Sequence, residues 1–180
     1  MMKKIFALAL FAVMAISASA QLYVGGSLKA WRDGTDHVTT AAILPEIGYT
    51  YSDQWAFGTV IGWDHTHETG ITTNLFKIEP YARLTYFKSG IVGLFVDGGF
   101  GLGFGKTKFG GESSDTATTW NIGFQPGVSL AVSEHCSFVA HFGFLGYKGA
   151  NDAAKEGGHP DEWGLNFSGN DLKIGFYYNF

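Results

Sequence analysis

Trp55-Ala56-Phe57-Gly58-Thr59-Val60-Ile61-Gly62-Trp63-Asp64 repeats with a period of two, the period of a β-strand. Trp55, Phe57, Thr59, Ile61 and Trp63 share one face, which is large and apolar. Ala56, Gly58, Val60, Gly62 and Asp64 share the other, which is small and ends in a charge. The closing stretch reads the same way, with Leu172, Ile174, Phe176, Tyr178 and Phe180 opposed to Lys173, Gly175, Tyr177 and Asn179.

Eight such segments follow one another along the chain, at about 22–31, 43–52, 55–64, 74–87, 91–104, 119–132, 136–147 and 165–180. No stretch after residue 21 carries a capped helical stripe. Two kinds of connection alternate. Ser52-Asp53-Gln54, Lys88-Ser89-Gly90 and Ser133-Glu134-His135 are tight; 32–42, 65–73, 105–118 and 148–164 are long, polar and rich in Gly, Asp, Thr and His. Short–long alternation predicts an up-and-down antiparallel meander with the long loops at one end. Pro45, Pro80 and Pro126 each stand seven residues before a tight-turn region and on the large-residue face. Proline in mid-strand costs a ladder hydrogen bond, so three in one register predict a shared local device such as a bulge.

One phase sorts every strand. The large face collects Leu28, Ile47, Leu84, Leu94, Phe100, Phe124, Phe138, Phe142, Phe144 and their equivalents, with no Lys, Arg, Asp or Glu among them. The small face collects glycines, tyrosines and the charges Lys29, Glu46, Lys77, Glu79, Arg83, Asp97 and Lys173, with His141. An eight-stranded barrel encloses a packed core or one small ligand. Some twenty-six large side chains overfill it, so a soluble lipocalin-like barrel fits poorly. Turned inside out the pattern fits: the aromatic face meets lipid and the small polar face fills the lumen. A lipid-exposed sheet must also close, because hydrocarbon satisfies no open edge. The expected fold is all-β, an eight-stranded transmembrane up-and-down antiparallel barrel. Its luminal charges are expected to pair across a plugged interior, with Glu46, Glu79, Arg83 and Asp97 at one height, because an unpaired charge in a closed space is costly. Tyr49, Tyr51, Trp55 and Tyr86 at one end, and Trp63 and Trp120 at the other, read as interfacial girdles.

Composition agrees and excludes other classes. The 180 residues hold 26 Gly, 16% aromatics and only 16% charged residues. Disordered chains are poor in aromatics. One cysteine, Cys136, rules out a disulfide scaffold or a thiolate zinc cluster. A net charge of −4 argues against nucleic acid as partner. Residues 1–20 read as a secretory signal peptide: Lys3-Lys4, an apolar run from Ile5 to Ile16, then Ala18-Ser19-Ala20 before a cut at Gln21. That leaves 21–180 as the barrel domain; losing Lys3 and Lys4 takes the formal charge from −4 to −6.

Three features carry a resemblance: Leu22-Tyr23-Val24-Gly25-Gly26-Ser27-Leu28, the stretch from Leu44-Pro45-Glu46 to Trp55-Ala56-Phe57-Gly58, and the terminal Phe180. The chain resembles the small OmpX-like and OmpA-like outer-membrane barrels of Gram-negative bacteria. It looks closest to the porin-family outer membrane protein beta-barrel domain of Bacteroidetes. The resemblance implies an integral outer-membrane location, extracellular long loops, and tight turns and both mature ends in the periplasm. It implies lipid and lipopolysaccharide as surroundings, Phe180 as the signal read by the barrel-assembly machinery, and a monomer. No peptidoglycan-binding domain follows Phe180, which leaves a cell-wall tether without support.

The loops offer little chemistry. His65 and His67, beside Asp64 and Glu68, form the most ligand-like cluster, with His37 and His159 at the same end. H-x-H alone is a weak metal signal, and no metal or cofactor is expected. Ser113 and Ser114 could meet these histidines, but no nucleophile-elbow motif exists. Gly103 to Gly111 lacks the spacing of a phosphate loop. The expected role is structural or surface interaction (adhesion, envelope integrity, ligands at the long loops), without enzymatic activity. A small-solute pore and a lipid-modifying enzyme are the alternatives.

Overall fold

The computed structural model describes residues 21–32, 39–68, 71–109, 112–156, 161–167 and 172–180. The signal peptide expected at 1–20, and His37 and His159, lie outside the described residues. The strands are β1 (Gln21–Arg32), β2 (Thr39–Thr50), β3 (Trp55–Glu68), β4 (Ile71–Ser89), β5 (Val92–Phe109), β6 (Glu112–Ala131), β7 (Cys136–His141), β8 (Phe144–Ala150), β9 (Glu162–Asn166) and β10 (Lys173–Asn179). A short helix, α1 (Asp152–Glu156), sits between β8 and β9. Neighbours pair antiparallel from β1 through β6; β6 pairs with both β7 and β8; β10 returns to β1 and closes the ring. β7 with β8, and β9 with β10, occupy the seventh and eighth wall positions. The result is the closed, all-β, eight-stranded antiparallel transmembrane barrel that the alternation implies.

The faces sort as hydrocarbon requires. Outward positions are exposed large apolar groups: Leu28 65%, Phe124 56%, Ile174 59%. Inward positions are buried and polar: Glu46 6%, Arg83 8%, Asp97 8%, His141 5%. From Trp55 to Trp63 runs about 27 Å of strand, which at the usual tilt places one aromatic near each edge of a roughly 25 Å apolar band.

The seventh strand departs from the expected unbroken run. Gly127 pairs with His141, but Phe124 pairs with Leu145, so one extra residue enters on the β7–β8 side. Gly143, at φ 73°, supplies the left-handed turn that only glycine makes without strain. The phase flips there. Phe144, assigned to the lipid face by its spacing from Phe142, lines the lumen instead, while Leu145 and Tyr147 point outward. The bulge lies opposite Pro126, whose carbonyl accepts from Phe142 N at 3.0 Å and which has no N–H to offer. The other two prolines make no bulge. The ladder skips Pro45 and Pro80 on the side of the next strand and resumes in register, at Ile43↔Trp63 and Glu46↔Val60, and at Ile78↔Leu102 and Tyr81↔Gly99.

Two of the stretches expected as long loops, 65–73 and 105–118, are mostly ladder, and the described residues of a third, 32–42, are paired as well. β1 and β2 pair out to Arg32↔Thr39, β3 and β4 to Glu68↔Ile71, and β5 and β6 to Phe109↔Glu112. Where both faces are wet, hydrophobic alternation vanishes while backbone hydrogen bonds persist, so periodicity understates strand length. The fourth stretch holds α1. Asn151 Oδ1 accepts from Ala154 N at 3.0 Å as its cap and from Thr118 N of β6 at 2.9 Å. Ala154 packs with Leu75, Ala117 and Ala150. Lys155 and Asp161 pair at 2.7 Å; that hydrogen bond raises the Lys155 ammonium above its ordinary range, and it lowers the Asp161 carboxyl together with the Ala150 N–H.

The tight turns 51–54, 90–91 and 132–135 lie together at the other end. Protease added to intact cells is expected to cut within 32–42, 65–73, 105–118 or 148–164 and to spare Ser52-Asp53-Gln54, read by mass spectrometry of the fragments. Cleavage at Ser52–Gln54 would mean the reverse orientation.

Candidate functional site

The inner half of the lumen is crossed by one charged layer. Arg83 on β4 stands opposite Asp97 on β5 in the ladder. Its Nε and Nη2 donate to the two carboxylate oxygens, each at 2.7 Å, the planar fork geometry that makes such pairs strong. Nη2 also donates to Tyr177 Oη at 3.0 Å. The Tyr177 hydroxyl contacts both Glu46 oxygens, at 2.9 and 2.8 Å, while Tyr81 donates to Glu46 and shares a hydrogen bond with Tyr23. His141 Nε2 lies 2.9 Å from Asp97 Oδ2. The same Nε2 lies 3.3 Å from Arg83 Nη2, and the buried Nδ1 has no hydrogen-bond partner among the described residues. Phe95 closes the underside: the guanidinium carbon of Arg83 lies 4.0 Å from its ring centroid, and His141 meets it edge-on at 5.2 Å.

Glycines make this layer possible. In the ladder Gly25 pairs with both Glu46 and Tyr177, so those side chains meet across a strand with no Cβ between them. A Cβ at Gly25 would strike the Tyr177 ring, and one at Gly58 would lie 2.5 Å from Tyr81 Oη and 2.8 Å from Tyr23 Oη. Gly99 faces the Pro80 carbonyl and lies 3.0 Å, measured from an added Cβ, from Tyr81 Cα. Because backbone cannot swing aside, Gly99→Leu is expected to cost about 1–3 kcal/mol or to block folding, read as loss of the folded band in heat-modifiable gel migration.

A second group of charges lies toward the outer end. Lys77 Nζ donates to Asp64 at 2.6 Å, Asn121 to Glu79 at 3.2 Å, and Lys173 to Gln125 at 3.3 Å. Glu79 thus stands apart from the Glu46, Arg83 and Asp97 with which the sequence grouped it. It is four residues from Arg83 along one strand, about 13 Å, and Asn121 holds it in the outer group. Lys29 stands opposite Ala42 on β1, its side chain outside the described set.

The loop histidines are occupied by their own hairpin. His65 Nδ1 contacts Asn74 Oδ1 at 2.8 Å and His67 Nδ1 contacts Thr72 Oγ1 at 2.9 Å, both directly across the β3–β4 ladder. Among the described residues no three of His, Cys, Asp or Glu are grouped to hold a metal. Ser113 and Ser114 lie in β6, their side chains outside the described set. Cys136 opens β7 as a free thiol.

Sequence reasoning singled out the charges but not Tyr23, Tyr81, Tyr177 and Phe95 as their partners. The available signal was a large side chain on the small-residue face. Each of these four stands on that face, where neighbouring glycines leave room.

The comparisons with known proteins agree with this architecture. Neisserial surface protein A superposes with a TM-score of 0.58 at 16% identity, over 89% of this chain and 96% of that one. The N-terminal β-barrel domain of Pseudomonas aeruginosa OprF gives 0.53 at 13%, over 90% and 98%. At such identities the likeness is one of fold. No curated protein matches in sequence. The family described as "Outer membrane protein beta-barrel domain" matches residues 5–180. With its lipid-facing aromatic wall and closed sheet, the chain belongs to that family and is an integral outer-membrane barrel, with long connections extracellular and tight turns periplasmic.

Proposed function

We propose that this is a non-conducting, non-enzymatic barrel with a structural or surface-interaction role, its lumen plugged and its outer hairpins available for adhesion or envelope contacts. The observation that carries the reading is the inner layer, in which Arg83, Asp97, Glu46, Tyr177, Tyr81 and Tyr23 span the lumen side chain to side chain. In a ring of eight strands such a layer supports the reading of a lumen without a continuous aqueous path. The long β3–β4 and β5–β6 hairpins continue past the Trp63 and Trp120 girdle, which supports a role outside the membrane. Lipid and lipopolysaccharide surround the barrel in this reading. Residues 1–20 direct export, Phe180 addresses the assembly machinery, and the barrel works as a monomer. The motif 44–58 supports the narrower kinship with porin-family barrels of Bacteroidetes.

Refolded protein in planar bilayers is the test. The wild type is expected to give no steady conductance. A stable open state whose ion selectivity changes on Glu46→Gln would overturn the plug and favour a small-solute pore.

A further inference from the structure

We propose that the outer half of the lumen is a binding chamber for a neutral polyhydroxylated ligand: a saccharide unit, free or carried as a lipid headgroup. The inference goes beyond a surface role and rests on the inner layer sealing the lumen below the chamber.

A cavity of about 500 Å³ occupies this half of the lumen, within the roughly 300–1,000 Å³ of small-molecule sites. A second cavity, of about 490 Å³, follows β8 and β9 and shares Phe144, Lys148 and Glu162 with it. Among the described residues lining the main cavity charge is balanced, with Lys77, Lys148 and Lys173 set against Asp64, Glu79 and Glu162. Lys77 is already paired with Asp64, and Glu79 and Lys173 already bond to Asn121 and Gln125. An ion entering would lose hydration without meeting a surplus of opposite charge. A neutral ligand bears no such cost. Thr40, Thr66 and Thr119 share the luminal phase and line the cavity with Asn121 and Gln125. Hydroxyls and amides both donate and accept, which matches the hydroxyls of a sugar. Phe144, turned inward by the Gly143 bulge, adds an apolar surface for the C–H face of a sugar ring.

Beside this chamber two strand edges have no ladder partner among the described residues. β9 pairs with β8 on one edge and, among the described residues, with no strand on the other, while Lys29–Arg32 of β1 pair only with β2. An unpaired edge at membrane depth is tolerated where it borders a water-filled cavity, and the cavity along β9 meets that condition. Trp163, 88% exposed, and Leu165 flank this seam on the lipid side.

The full barrel in phosphatidylethanolamine nanodiscs, probed with millimolar maltose and lactose by saturation-transfer NMR, tests the chamber. Acetate and methylammonium serve as charged probes. Saturation transfer to a disaccharide is expected, and Thr119→Phe, which fills the chamber without touching an ion pair, is expected to weaken it at least about tenfold. Thr66→Phe is the second variant should Thr119→Phe fail to fold. Loss of the sugar signal in discs containing monogalactosyl diacylglycerol assigns the lipid headgroup as source; persistence assigns the free saccharide. No signal in either kind of disc, equal response from the charged probes, or full binding in the folded variants overturns the proposal. Bilayer conductance reads the seal separately: a conducting wild type that still binds sugar sinks the plug and leaves the chamber standing.

Discussion

Arg83→Ala is expected to lower unfolding free energy by about 3–5 kcal/mol, because it strips a buried cation from two carboxylates. Among the described residues Asp97 would keep His141, and Glu46 its tyrosines. The Phe95 ring would also lose the guanidinium stacked 4.0 Å above it. Urea unfolding in lipid vesicles, followed by tryptophan fluorescence, measures the loss. The double variant Arg83→Ala/Asp97→Ala separates charge from packing. If the loss comes from an orphaned carboxylate, the double variant is less destabilised than the sum of the singles. Additive losses would show that the pair contributes little beyond the volume it fills. Conductance is expected to change less than stability, since Tyr23, Tyr81 and Tyr177 still occupy the layer.

Phe124→Arg is expected to cost about 2–4 kcal/mol, the penalty for a cation on the lipid face near the bilayer midplane. Phe124 is 56% exposed and lies on β6 between the Trp120 girdle and the turn after Ala131. Leu94→Arg makes the internal comparison. Leu94 shares the lipid face but stands two residues from the start of β5, near the periplasmic interface, where the cost falls to about 0–1 kcal/mol. Refolding yields and unfolding midpoints in vesicles give both numbers. Equal penalties at the two sites would mean that the bilayer sits elsewhere on the barrel, and a folded, water-soluble Phe124→Arg protein would invert the assignment of the faces.

The period of two determined most of this protein. Alternation at 55–64 and 172–180 set the strands, the absence of charge on the large face turned the barrel outward to lipid, and the spacing of turns set the number of wall positions. These follow from the sequence because hydrocarbon imposes one rule on every strand, so each strand reports it independently. What depends on a single residue, or on neighbours distant in sequence, is set only when the barrel folds. Gly143 at φ 73° inserts one residue and turns Phe144 inward, a slip of phase that periodicity reads straight through. The hairpins run beyond the bilayer because backbone pairing continues after hydrophobic alternation has stopped. Glu79 joins Asn121 rather than Arg83, and Glu46 meets Tyr177 over Gly25, because barrel closure and stagger decide which residues share a height. A sequence lists the charges on a face; which of them touch is fixed only when the sheet closes on itself.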